Sequence, residues 1–240
     1  MFLPTTQKEL NQLGWDCLDI ILVSGDAYID SPFIGTAVIG RVLTDAGFRV
    51  GIIAQPDVQS NDICRLGEPK LFWGVSGGCV DSMVANRTAS GKRRKQDDYT
   101  PGGINNQRPD RAVLVYANLI RSKFKNTCPI VIGGIEASLR RIAHYDYWSN
   151  SVRRSVLLDA KADYLLYGMA EQAVLELATC LRDSTDPHQI RGLCYTASER
   201  PAHSLELPAY EEVKGDTRQA KQAFSLMFHR FYENNDPFTA

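Results

Sequence analysis

Apolar and polar positions along the chain follow two alternating patterns. Residues 18–24 (LDIILVS) form a continuous apolar run that ends in Gly25, Asp26, Ala27 and Tyr28, as expected of a strand covered on both faces of a parallel sheet. Ile34, Val38, Val42 and Ala46 then recur at helical spacing, with Ser31 as cap, Pro32 at the first position and Gly47 as the stop; these signals predict a helix. Residues 48–54 (FRVGIIA) predict a second strand, which completes a β-α-β unit with a right-handed crossover. A third strand is expected at 70–75.

Beyond Ser76, Gly77 and Gly78 the pattern fades into a long polar segment at 86–108, and connections of that length are functional or disordered. Pro109 opens a helix with Val113, Tyr116, Ala117, Ile120 and Phe124 on one side. Residues 129–132 read as a strand, followed by Gly133 and Gly134 and a helix whose apolar face is Ile135, Leu139, Ile142 and Ala143. Glu136 sits in its first turn, suited to the helix dipole and to pairing with Arg140. A short helix at 152–160, a strand at 163–167 and a helix begun by Gly168, Met169, Ala170 and Glu171 come next. An edge strand at 191–196 and a helix capped by Asp216 or Thr217, with Ala220, Ala223, Phe224, Met227 and Phe231 aligned, close the series.

This order predicts an α/β fold: a doubly wound, mostly parallel, five-stranded, Rossmann-like sheet over residues 1–185. Residues 186–240 are expected to carry the edge strand and a C-terminal helical appendage. The tail 234–240 follows that helix without a closing element and reads as a cut.

Composition narrows the partners. The chain has 240 residues and 44% hydrophobic content, enough for a full core. Its 27 basic and 28 acidic residues leave a net charge of -1, so no global field draws it to nucleic acid. No apolar run approaches the roughly 20 residues that span a bilayer, and a cytoplasmic location is expected. The six cysteines, Cys17, Cys64, Cys79, Cys128, Cys180 and Cys194, are never closer than fourteen positions. That spacing rules out a CxxC or CxxxCxxC cradle and suits a reducing compartment.

In an open parallel sheet, ligands bind outside the carboxyl ends of the strands. Four segments meet that edge here: Gly25 to Tyr28, Ser76 to Gly78, Gly133 to Glu136, and Gly168 to Glu171. The candidate ligand or interface residues are therefore Asp26, Tyr28, Gly77, Gly78, Gly133, Gly134, Glu136, Gly168 and Glu171, joined by the polar-aromatic cluster His144, Asp146 and Trp148. The glycines admit a ligand's bulk or serve only tight βα turns; both readings stand. No Walker lysine, G-x-G-x-x-G or HExxH pattern is present. The residues therefore name no catalytic group and no metal ligand. The basic run 92–95 (KRRK) either contacts phosphates or forms a solvated loop, and a net charge near zero favours the loop.

Several stretches together resemble the N-terminal region of YgiQ-type radical SAM proteins. They are SGDAYIDSPFIGTAVIGRVLTDAGFRVGIIAQPD at 24–57, KRRKQDDYTPGG at 92–103, RPDRAVLVYANLIR at 108–121, PIVIGGIEASLRRIAHYDYWSNSVRRSVLLDAKADYLLYGMAE at 129–171, and IRGLCY at 190–195. The resemblance implies a cobalamin-binding-like α/β domain that precedes a radical SAM barrel, which would be its partner. It implies a [4Fe-4S] cluster and S-adenosylmethionine for the full-length family, with no cofactor held by this region alone. His144, Asp146 and Trp148 would then serve docking or substrate contact rather than catalysis. The D-x-H-x-x-G motif of cobalamin domains is missing after the first strand, where Asp26 and Asp30 have no histidine beside them. That gap argues against a histidine-ligated corrinoid. The alternative function is a free-standing small-molecule binding module at the sheet edge; a third is nucleic-acid binding through the basic loop.

Overall fold

The computed structural model describes residues 2–202 and 204–233. In chain order the elements are α1 (Gln7–Gln12), β1 (Ile20–Ser24), α2 (Gly35–Asp45), β2 (Val50–Ala54), β3 (Phe72–Ser76), α3 (Ser82–Asn86), α4 (Ala112–Lys123), β4 (Ile130–Gly133), α5 (Gly134–Leu139), β5 (His144–Asp146), β6 (Ser151–Arg153), α6 (Val156–Asp159), β7 (Tyr164–Leu166), α7 (Glu171–Asp183), β8 (Leu193–Tyr195), α8 (Tyr210–Val213) and α9 (Arg218–Glu233). The main sheet has the order β2-β1-β3-β4-β7-β8. Its first five strands are parallel and β8 runs antiparallel to β7. The sheet thus has six strands rather than five: the expected edge strand pairs with β7 and belongs to it.

Side-chain alternation divides the core between two faces. Ile21, Val23, Trp73, Val75, Ile130 and Ile132 pack with Val113, Tyr116, Ala117 and Ile120 of α4. On the other face Ile20, Leu22, Phe72, Val131 and Leu166 pack with Leu43 of α2 and with Val174 and Leu177 of α7. Coverage on both sides is why the strands read as unbroken apolar runs.

The body, Met1–Arg141 with Val156–Thr196, forms one compact unit, and Ile142–Ser155 with Ala197–Ala240 forms another. The expected division at residue 185 falls inside the first, because residues 193–195 hydrogen-bond to β7. In the second unit β5 and β6 make an antiparallel hairpin, with His144 opposite Arg153 and Asp146 opposite Ser151. There the hydroxyl of Tyr210 donates to the Val152 carbonyl (3.4 Å). On α9 the rings of Phe224, Phe228 and Tyr232 follow one another four residues apart, and Thr217 caps the helix by accepting from the Ala220 amide (3.1 Å). The tail 234–240, expected to mark a cut, lies outside the described residues, as does His203.

Several boundaries differ from the sequence expectation for identifiable reasons. Ser31 closes a turn instead of capping α2: its carbonyl accepts from the Ile34 amide (3.1 Å) and its hydroxyl from Phe33 (3.3 Å), which leaves Pro32 outside the helix. Arg111 sits at φ 53°, a left-handed conformation that delays α4 to Ala112. The helix expected to bury Ile142 and Ala143 stops at Leu139, and Ser151–Arg153 is strand rather than helix. Sequence reasoning missed α1, although Thr6 and Glu9 form the T-x-x-E capping box that announces it. Among the described residues no helix is long and apolar enough to cross a membrane.

Candidate functional site

The sheet order reverses between β1 and β3, the place where doubly wound folds hold ligands. Here the protein's own groups fill it. The Gly25 amide donates to the Ser76 carbonyl (3.0 Å), and a Cβ on Gly25 would lie 2.1 Å from the Gly77 carbonyl oxygen. Only glycine permits that approach. Asp26 accepts from the Cys79 amide (2.6 Å) and pairs with Arg108 (2.6 Å). The Arg108 guanidinium also pairs with Asp97 (3.1 Å) and donates through Nε to the Gly25 carbonyl (2.9 Å). All three charged side chains are buried. Burial pushes the Asp26 carboxyl above the usual aspartate range, against the pull of the Cys79 amide and of Arg108.

Glu136 is also engaged inside the scaffold. It is 2% exposed and accepts from the amides of Ser82 (2.9 Å) and Val113 (3.2 Å), at the starts of α3 and α4. Its expected partner, Arg140, pairs with Asp81 instead. Tyr28 uses its hydroxyl to accept from the Leu3 amide (3.1 Å). Gly77 lies between Gly25 and the Glu136 carboxylate. Asp26, Tyr28, Gly77 and Glu136 therefore brace the edge, and none of them lines its cavity.

That cavity, of about 410 Å³, opens beside the ends of β3, β4 and β7 and runs down the sheet between α2 and α7. Its origin is the alternation. Phe72, Gly74 and Ser76 of β3 and Val131 and Gly133 of β4 face the same side, with Gly74 beside Val131 and Ser76 beside Gly133. Glycine at 74 and 133 lowers the strand surface, and the Leu22 side chain leans over Gly74. Gly78, Gly134, Gly168 and Glu171, all expected at this edge, do line it. Sequence reasoning missed Phe33 and Met169 at the mouth, which are 88% and 92% exposed. Cys79 also lines the cavity, and burial together with Asp26 raises its thiol above the ordinary range.

His144, Asp146 and Trp148 belong to the second unit. Asp146 is buried and accepts from the Ser149 hydroxyl. The Nδ1 of His144 contacts the Ile142 carbonyl (3.2 Å), and Trp148 meets Tyr147 edge to face at 5.3 Å. The basic run is partly tied down too: Arg93 donates to the Asn105 carbonyl and Arg94 to those of Val84 and Arg87.

The donor sets do not fit the groups that the resemblance suggests. No three His, Cys, Asp or Glu side chains among the described residues are grouped to hold a metal, so no cluster cradle is present there. Among the described histidines, His188 pairs with Asp186 (2.8 Å), His229 with Glu233 (3.0 Å), and none lines the cavity. A histidine-ligated corrinoid thus finds no ligand in it.

A family model described as Radical SAM N-terminal matches residues 2–240. A UPF0313 protein of Fusobacterium nucleatum is 56% identical over 241 residues, covering 100% of this chain and 42% of its own length. One of Thermotoga maritima is 56% identical over 230 residues, 94% of this chain and 40% of that protein. Another, from Rhodopseudomonas palustris, is 54% identical and covers 38% of its own length. The chain thus spans about two fifths of these relatives. Among solved structures, the radical S-adenosylmethionine methyltransferase TsrM from Kitasatospora setae aligns with a TM-score of 0.49 at 20% identity, over 75% of this chain and 28% of that one.

Proposed function

This chain belongs to the radical SAM N-terminal family, and we propose that it serves a longer radical SAM enzyme as a small-molecule-holding domain that does not generate the radical. The observation that carries this reading is the open, apolar cavity at the carboxyl edge, in a chain whose cysteines are too far apart in sequence for a cluster motif. The [4Fe-4S] cluster and S-adenosylmethionine belong, in this reading, to the remaining three fifths of the relatives' length. That portion is also the proposed partner. His144, Asp146 and Trp148, on the hairpin of the second unit, are proposed as docking or substrate contacts. Six free cysteines support a reducing cytoplasm as the setting.

Anaerobic reconstitution with iron, sulfide and dithionite tests the division of labour. The full-length Thermotoga maritima relative should take up a cluster and convert S-adenosylmethionine to 5′-deoxyadenosine and methionine, while this chain takes up none. A cluster held by these 240 residues, or no cleavage by the reconstituted full-length protein, would overturn the proposal.

A further inference from the structure

The cavity's lining is unequal in charge. No Lys, Arg or His is among the residues that line it, and Glu171 is the lone carboxylate. Glu171 is the first residue of α7 and is half-buried. Among the described residues its carboxylate has no hydrogen-bond or ion-pair partner. Other edge acids are engaged: Asp26 by Arg108, Glu136 by two amides, Asp81 by Arg140. Below Glu171 the wall is hydrocarbon, made by Leu22, Phe72, Val131, Leu166 and Val174. A volume of about 410 Å³ is some fourteen waters at about 30 Å³ each, within the range of small-molecule sites.

We propose that this cavity takes a small amine: an apolar body laid against Leu22, Val131 and Gly133 between α2 and α7, with its ammonium at the mouth against Glu171. The assignment rests on reading the cavity as a ligand site. The helix dipole also favours an acid at the start of α7, but that interaction is indifferent to which ligand is present. An apolar amine satisfies both parts of the lining at once, because the hydrocarbon loses water and the half-buried carboxylate gains a charged donor. An anion of the same shape would be drawn by the starts of α2 and α7 but would meet Glu171, the lone charged side chain in the lining, as a repulsion that no side-chain cation offsets.

Three probes of one shape separate the parts of the claim: 2-phenylethylamine, 2-phenylethanol and 3-phenylpropionate, titrated into the purified chain by calorimetry and thermal shift. The amine should bind tightest, the alcohol about ten-fold more weakly, and the carboxylate weakest, as expected when one charge-assisted hydrogen bond is lost. Glu171→Gln should bring the amine down to the alcohol and leave the alcohol unchanged. Thr36→Phe and Val174→Phe, each checked for a native melt, fill the cavity from opposite helices, and either should abolish all binding. Equal binding of the three probes, or an amine unaffected by E171Q, overturns the amine assignment while the site survives. No binding by any probe, or binding that persists in both folded filling variants, overturns the reading of the cavity as a ligand site.

Discussion

At the ends of β1 and β3 the chain turns through Gly25, Gly77 and Gly78; at the ends of β4 and β7 it turns through Gly133, Gly134 and Gly168. The two stretches of edge share glycines, a nearby carboxylate and a following helix, yet the first is closed at Gly25 and Gly77 and meets the cavity only through Ser76, Gly78 and Cys79, whereas all three glycines of the second line it. The difference lies in what reaches each from elsewhere. Arg108 arrives at the first from the far end of the long polar segment and pairs with Asp26 and Asp97 together. No cation lines the cavity at the second, where glycine at 74 and 133 keeps the strand surface low. Glycine at a strand end therefore marks where backbone comes close; the long-range partners determine whether protein or ligand occupies the space.

Removing the seal should have the largest effect. Arg108→Met leaves two carboxylates buried without a counter-charge, which costs about 3–5 kcal/mol, and urea unfolding should show it. A loss below about 1 kcal/mol would mean that the network closes nothing. The glycines offer a matched pair. Gly25→Ala drives a methyl into the Gly77 carbonyl and should cost about 1–3 kcal/mol. Gly133→Ala, in extended backbone with its nearest contact at 3.3 Å, should stay within about 1 kcal/mol. If both glycines tolerate alanine equally, the contrast between the two edges fails.

Glu136→Ala strands two buried amides at the starts of α3 and α4 and should cost about 1–3 kcal/mol, whereas Glu136→Gln keeps an acceptor and should cost less. The smallest effect is kinetic. Burial raises the thiols of Cys128 and Cys194 to about 11, from an ordinary value near 9. Because the folded value is the higher one, the fold favours the neutral thiol; that preference is complete below pH 9 and is lost as pH rises toward 11. Near pH 9, iodoacetamide should reach Cys79, at the open mouth, before Cys128 or Cys194, and mass spectrometry of the digests would show the order. Cys194 reacting first would place the opening elsewhere.

Much of the parallel sheet was legible because its strands are covered on both faces. A run such as IILVS has few alternatives as structure, and helical spacing identified Val113, Tyr116, Ala117 and Ile120 as core before any contact was known. The errors cluster where a backbone conformation or a distant hydrogen bond governs. Arg111 turning left-handed, Ser31 closing a turn and the chain leaving α5 at Leu139 each override an apolar pattern that would have continued. Of the candidate site, Gly78, Gly133, Gly134, Gly168 and Glu171 were found through the rule that ligands sit at carboxyl ends. Phe33 and Met169 were not, because nothing local distinguishes an exposed apolar residue from a packed one.

By itself the sequence determined the α/β class, the strand ends where a ligand could sit and the family resemblance, since local periodicity and residue identity carry those. Only the tertiary structure decided which carboxylate is engaged and which is available. Asp26 and Arg108 are 82 positions apart, Ser82 and Glu136 are 54 apart, and Glu171 differs from them only in what the fold leaves beside it. Burial and pairing are properties of the assembled sheet, and in this chain they turn similar glycine-acid loops into scaffold on one side and a candidate site on the other.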